Sequence, residues 1–280
     1  MLLIVVGLGV LAALVILYGA LRWQSSTRGL VFRLEEARAS IHPPRYDSRE
    51  LAGLPPPVQR YFRAVLNEGQ PLVAMVTVTH AGTFNMSESG EQWRRFTSIE
   101  RIVTNRPGFV WDGRITMMPG VAVRVHDAYV GGEGILQATL FGFVTLADMR
   151  GTPEVAQGEL IRFLAEAAWY PTAHLPSQGV RWEAVDDMSA KVTLRDGQTT
   201  STILCRFNQA GLIESVRAEA RGRAVKCVVV PTPWEGRGWH YDLRDGMRIP
   251  LEGEVAWQLP DRLKPYWRGC VTSVTYEFAP

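Results

Sequence analysis

The chain begins with an uninterrupted apolar stretch. Residues 1–21 contain no ionisable side chain apart from the phenol of Tyr18. A helix of this length, rising about 1.5 Å per residue, spans roughly 30 Å, the thickness of the hydrocarbon core of a bilayer. Tyr18 and Trp23 stand where aromatic side chains meet the membrane interface. The sequence therefore predicts a single-pass transmembrane anchor over residues 1–23, in contact with the lipid bilayer through residues 1–21.

Helical spacing of apolar residues continues after this stretch. Residues 29–41 carry apolar side chains at helical intervals until Pro43 and Pro44 interrupt the pattern. A second helical pattern starts at Pro57 and ends near Gly69. The sequence predicts short juxtamembrane helices and a linker over residues 24–71.

The spacing becomes alternating from residue 72 onward. Apolar residues alternate with polar or small residues along segments such as 121–126. One strong helical pattern, residues 154–170, interrupts them, and Asp-Gly pairs at 196–197 and 245–246 mark hairpin turns. This order predicts an α+β fold, in which residues 72–280 form a single domain. We expect about ten or more antiparallel strands in a large curved sheet or incomplete β-barrel with an embedded helix.

Composition and motifs argue against several classes of function. The net charge of +2 is too balanced for a dedicated nucleic-acid binder. The five histidines do not pair at the short spacing that is typical of zinc ligands. Gly7-x-Gly9-x-x-Ala12 has the form of a dinucleotide-binding fingerprint, but uniformly apolar residues follow it and no second βαβ unit is present. We therefore expect no nucleic acid, no metal ion and no cofactor.

The helical pattern at 154–170 contains the best candidate chemistry. Glu159, Arg162 and Glu166 fall on one helical face opposite the apolar one, and Trp169 extends that face. Arg162 can pair with either glutamate at these spacings. Two interpretations remain open. The strip is a solvated row of ion pairs, or it faces a groove, where it binds a polar head group or supplies a general base.

Large aromatic residues form a second candidate set. The C-terminal third is rich in them, and Trp234 stands in the stiff loop 231–236. Trp111 lies on an alternating strand pattern, and Trp169 follows the charged strip. Core packing accounts for most of these aromatic side chains. The remainder are suited to lining a ligand cavity or meeting a membrane interface.

Several segments also carry a family resemblance. These segments are Leu54–Phe62, Arg106–Trp111, Gln157–Glu166, Tyr170–Ala173 and Pro233–Gly236. Through them the chain resembles, over about residues 50–278, a family of uncharacterised bacterial membrane-anchored proteins with no known activity. More distantly, the strand order and the segment 106–109 resemble LolA/LppX-type lipoprotein carriers. That resemblance implies an open half-barrel closed by helices over an apolar cavity, and acyl-chain binding outside the cytoplasm.

These observations do not decide on which side of the membrane the body of the protein, the chain after the predicted anchor, lies. Arginines at positions 22, 28, 33 and 38 follow the predicted anchor, whereas only the amino terminus precedes it. The excess of positive charge after the anchor favours a cytoplasmic body. The resemblance to lipoprotein carriers favours the opposite side.

The leading hypothesis is a membrane-tethered module that binds a lipid or another amphiphile in an apolar cavity. Glu159, Arg162 and Glu166 would meet the polar end of the ligand, and Trp111, Trp169 and Trp234 would line the apolar part. A second hypothesis is a hydrolase- or lyase-type enzyme that uses Glu159 or Glu166 as acid or base, with Arg162 holding an anion. A third is a ligand-free interaction scaffold with a solid core.

Overall fold

One antiparallel sheet of thirteen strands makes up most of the computed structural model, which describes residues 2–225 and 228–280. Three α-helices accompany it in this described part: α1 (Leu2–Glu36), α2 (Pro56–Val65) and α3 (Pro153–Glu166). The strands are β1 (Val73–Asn85), β2 (Trp93–Val103), β3 (Gly108–Met118), β4 (Val121–Val130), β5 (Glu133–Leu140), β6 (Val144–Arg150), β7 (Arg181–Asp186), β8 (Ser189–Asp196), β9 (Thr199–Phe207), β10 (Ile213–Val225), β11 (Val228–Arg244), β12 (Met247–Gln258) and β13 (Leu263–Phe278).

Two meanders form this sheet. Strands β1–β6 follow one another in space, as do β7–β13, and the pairing of β1 with β13 joins the two halves. The predicted curved antiparallel sheet with an embedded helix is confirmed. The predicted helix 154–170 corresponds to α3 followed by a 3₁₀ turn, Ala167–Trp169. Pro153 stands in the first turn of α3, and Thr152 caps it by accepting a hydrogen bond from the backbone N–H of Val155.

Among strands β1–β6 and β10–β13, the antiparallel order places the hairpin turns at two opposite ends of the sheet. We term one end the rim: β1, β3, β5, β10 and β12 end there, and β2, β4, β6, β11 and β13 begin there. The opposite end is the α2 end. There Tyr61 and Phe62 of α2 pack against Phe207 and Trp182, with ring centroids 5.6 and 6.3 Å apart. These aromatic side chains belong to the main hydrophobic core.

The N-terminal helix differs from the prediction. The predicted anchor at 1–23 and the predicted helix at 29–41 form one continuous helix, α1, and Met1 lies outside the described residues. No proline interrupts the chain between them, and arginine is a good helix former. The second half of α1 packs on the outer face of the sheet, where Leu34 contacts a cluster that includes Val110 and Ala128. Among the described residues, no helix combines the length and hydropathy needed to cross a bilayer.

Candidate functional site

A cavity of about 520 Å³ lies between α3 and the concave face of the sheet. This volume is in the range of small-molecule binding sites. All six residues singled out from the sequence line the cavity: Trp111, Glu159, Arg162, Glu166, Trp169 and Trp234. The charged strip of α3 therefore faces the cavity and not open water, and the interior is not the solid core that the scaffold hypothesis required.

The cavity reaches the rim. Its wall includes Phe84 and Met86 at the end of β1, and Gly222 and Ala224 near the end of β10. Within the described chain, no residue from the turns at the α2 end lines it. Much of the wall is apolar and belongs to strands of both halves: Ile115, Val123, Val125, Leu136, Ala138, Val216, Val255 and Trp257.

Arg162 is the centre of a buried charge cluster. Its guanidinium donates hydrogen bonds to Glu100 at 3.0 Å, to Asp127 at 2.7 Å and to Glu166 at 2.7 Å. The side chain of Arg162 is only 13% exposed, and the ring centroid of Trp111 lies 5.4 Å from its guanidinium carbon. The bond to Glu166 is the predicted helical pair. The other two acceptors come from β2 and β4, which lie beneath α3.

Arg221 of β10 forms the second half of the cluster. It donates to the carbonyl oxygen of Gly158 at 3.0 Å and to the hydroxyl of Tyr266 at 3.1 Å, and its Nη2 lies 3.5 Å from Glu159 Oε1. The indole N–H of Trp234 also donates to Tyr266, at 2.9 Å. Glu159 therefore pairs with Arg221, and the alternative pairing with Arg162 is not formed because Arg162 points towards β2 and β4.

Burial determines the protonation of this cluster. Four carboxyl groups face two guanidinium groups, so full ionisation would leave a net charge of −2 (four negative and two positive charges) in a buried site. Burial raises the pKa of Glu100 well above its ordinary value, and the charge of the neighbouring Glu166 adds to the rise. Burial, and then the charge of Asp127, raise the pKa of Glu159 in the same way.

The carboxyl groups of the cluster also have unused hydrogen-bonding capacity. Each group has one buried oxygen without a hydrogen-bond partner in the described structure: Oε2 of Glu100, Glu159 and Glu166, and Oδ1 of Asp127. The raised pKa values of Glu100 and Glu159 favour their neutral acid forms, which limits the unpaired negative charge in this buried site.

Trp169 is held in a fixed orientation beside the cluster. Its indole N–H donates to the carbonyl oxygen of Pro250 at 3.1 Å, and its own carbonyl accepts from Tyr276 at 2.7 Å. The indole also packs against His80, with ring centroids 4.7 Å apart. Burial lowers the pKa of His80 to about 3, so this imidazole is neutral at pH 7.

The sequence reasoning missed several members of this site, namely His80, Glu100, Arg221 and Tyr266. Glu100 could have been found from the alternation of β2, because it occupies an inward position between the buried Ser98 and Ile102. Asp127 follows His126 in β4, and neighbours in a strand point to opposite faces. Asp127 therefore lines the cavity, while His126 is on the face that contacts α1.

No metal site emerges from this arrangement. In the part of the chain that the structure describes, no group of three or more His, Cys, Asp or Glu side chains is placed to hold a metal ion. The carboxyl groups of Glu100, Asp127 and Glu166 each accept a hydrogen bond from the guanidinium of Arg162.

Comparison with solved structures gives matches at low sequence identity and low TM-score. A LolA superfamily protein from Nitrosomonas europaea is 13% identical, with a TM-score of 0.35 over 80% of this chain and 93% of that chain. A beta-barrel-like protein of the domain of unknown function DUF1849 from Brucella abortus is 10% identical, with a TM-score of 0.24 over 74% and 99% of the two chains.

Sequence comparison gives the family. No curated protein matches this sequence. Residues 52–276 match DUF6920, a family of unknown function, and the chain belongs to that family.

Proposed function

We propose that the cavity binds an amphiphilic molecule, such as a lipid. The observation that supports this proposal is a cavity of about 520 Å³ whose wall is mostly apolar and carries one buried polar cluster. In this proposal the polar end of the ligand meets Glu159, Arg162 and Glu166. Its apolar part lies along the aromatic wall that includes Trp111, Trp169 and Trp234.

The pairing within the cluster favours an uncharged polar end group. Arg162 already donates to three carboxyl groups, so it has little capacity left for a phosphate or sulfate. A hydroxyl or amide can donate hydrogen bonds to the unpartnered carboxyl oxygens without adding buried charge. From Trp111 to Ile115 the wall of β3 runs about 13 Å towards the rim, at roughly 3.3 Å per residue. This length suits an extended hydrocarbon segment.

The same proposal places the protein at a membrane through the first half of α1. Side chains described from Ile4 to Leu21 are apolar and mostly exposed. A continuous apolar helix surface of this kind is stabilised by lipid. Full-length protein should therefore float with vesicles, and a Leu11→Arg/Leu14→Arg variant should lose most of that binding. Equal flotation of the two proteins would contradict the attachment.

Native mass spectrometry of the full-length protein, released from detergent micelles, tests the cavity. We expect a stoichiometric bound amphiphile that organic extraction removes. The emptied protein should then take up a fluorescent fatty alcohol at least about tenfold more tightly than the alkyl sulfate of the same chain length, which is a difference of about 1.4 kcal/mol. An apo mass together with no uptake of either probe would overturn the proposal.

An acid–base enzyme is a second candidate function. Glu159 lines the cavity, and burial and the neighbouring Asp127 raise its pKa, which is the direction that a general acid requires. The test is conversion of the extracted amphiphile, followed by mass spectrometry, with wild type and Glu159→Gln. Product formed by the wild type alone would support catalysis, whereas unchanged ligand in both reactions would leave binding as the function.

A further inference from the structure

Exposed apolar side chains are concentrated at the rim. Outside α1, ten large hydrophobic residues of the described chain are exposed, and six of these belong to the rim, with exposures between 39% and 63%. The six are Met118, Val144, Leu146, Val228, Val230 and Leu263. They belong to four different hairpins, so they form an apolar border and not a local defect of one turn.

The apolar half of α1 emerges at this same border. Gly19 of α1 crosses directly beside the β5–β6 turn, where a Cβ on Gly19 would overlap the carbonyl oxygen of Phe141. The ring of Tyr18 lies 6.4 Å from that of Phe143 in the same turn. Because Leu34 contacts Gly108 at the α2 end of β3, the helix runs along the sheet from the α2 end to the rim. The residues that precede Gly19 therefore extend beyond the rim.

The charge of the rim differs from that of the α2 end. The described residues of the five rim segments (86–95, 114–124, 140–146, 222–225 with 228–230, and 258–264) include seven basic and three acidic residues. The basic residues are Arg94, Arg95, Arg114, Arg124, Arg223, Arg262 and Lys264, and the acidic residues are Glu88, Glu91 and Asp261. The five turns at the α2 end (104–107, 131–133, 187–188, 208–212 and 244–246) contain two basic and three acidic residues. A positive, apolar border is complementary to a membrane with anionic head groups.

We propose that the rim rests on an anionic lipid bilayer, so that the mouth of the cavity faces the membrane. Leu146 gives the strongest support for this orientation, because it is 55% exposed at the apolar border and also lines the cavity. An amphiphile then passes between bilayer and cavity without crossing water. This inference rests on the proposed function, since it assumes both the ligand cavity and the attachment through α1.

The test places an environment-sensitive fluorophore at either end of the sheet. Met118→Cys labels the rim and Leu243→Cys labels the α2 end, and both positions are exposed apolar residues, at 60% and 57%. The two ends lie about 30 Å apart, at roughly 3.3 Å per strand residue. The labels are introduced in full-length protein with Cys205→Ala, Cys227→Ser and Cys270→Ser. Vesicles of phosphatidylcholine and phosphatidylglycerol contain a lipid with a spin-label quencher near the head group.

We expect the Met118 label to shift to the blue and to be quenched at least about twofold, while the Leu243 label is unaffected. Equal quenching at both ends, or none at Met118, would overturn the inference. A blue shift at Met118 without lipid quenching would also overturn it, by showing that a second copy covers the rim. Val228→Cys repeats the rim measurement if Met118→Cys fails to fold. Flotation of the same proteins measures membrane attachment through α1, and uptake of the fluorescent fatty alcohol measures binding in the cavity. A failure of either proposal can therefore be distinguished from a failure of the proposed contact between the rim and the bilayer.

Discussion

The indole of Trp23 in α1 lies nearly parallel to the imidazole of His126 in β4, with 3.7 Å between the ring centroids. The indole N–H also donates to Asp112 at 2.9 Å. The hydroxyl of Thr27, one turn further along α1, lies 3.1 Å from the same carboxylate and 2.8 Å from His126 Nε2. This small polar cluster fixes α1 to the middle of the outer face of the sheet.

Removal of the Trp23 side chain should loosen α1. Trp23→Ala deletes the stacking contact and the hydrogen bond to Asp112, and we expect the free energy of unfolding to fall by about 3 kcal/mol. Limited proteolysis should then cut within residues 24–36. Phe32→Ala is the matched control, because Phe32 is 63% exposed on the same helix. A loss in the control as large as that in Trp23→Ala would contradict this account.

Arg162 should be the most sensitive charged position of the site. Arg162→Met leaves the carboxyl groups of Glu100, Asp127 and Glu166 buried without their cation, so we expect a loss of about 3 kcal/mol in chemical denaturation. The loss should be smaller at acidic pH, where protonation removes the unpaired charge. Arg181→Met, which breaks an exposed pair with Glu183, should change stability by less than about 0.5 kcal/mol. Similar losses in the two variants would contradict the buried network.

The raised pKa of Glu159 predicts a pH dependence with a definite sign. The folded protein keeps a proton that the unfolded chain releases above about pH 4.5, so the stability from this group falls as pH rises through its folded-state pKa. Glu159→Gln stays neutral throughout. Its stability relative to wild type should therefore increase with pH above 4.5, by at most about 1.4 kcal/mol per pH unit.

The comparison of these two proteins isolates Glu159 from other titrating groups. Burial lowers the pKa of His126 and lowers those of His80 to about 3 and His174 to about 4, so stability from these histidines is lost as pH falls below 6.5. Their contribution is the same in both proteins and cancels. Glu219→Gln on β10 is the exposed control. A difference between Glu159→Gln and wild type that does not vary with pH would refute the raised pKa of Glu159.

Filling the cavity should remove binding while the fold remains. Ala138 of β5 lines the cavity, and Ala138→Trp places a large side chain in the space proposed for the ligand. We expect uptake of the fluorescent fatty alcohol to fall at least about tenfold, with a stability change of about 1–3 kcal/mol. Ala220→Trp, on the exposed surface of β10, should bind the probe as wild type does. Unchanged binding by Ala138→Trp would place the ligand elsewhere.

Local periodicity in the sequence determined a large part of this architecture. Alternation of apolar and polar residues predicted the strands, because neighbours in a strand point to opposite faces. Helical spacing predicted that Glu159, Arg162 and Glu166 share one face of α3. Both patterns depend only on backbone geometry within a few residues, and a single sequence displays them directly.

Only the tertiary structure decided which residues contact the charged face of α3. Glu100 and Asp127 reach Arg162 from β2 and β4, and Arg221 reaches Glu159 from β10, at sequence separations of 62, 35 and 62 residues. Strand order and register bring these groups together, and neither is encoded in a local pattern. The pKa shifts follow from the same convergence, because burial of a carboxyl group depends on every element packed around it.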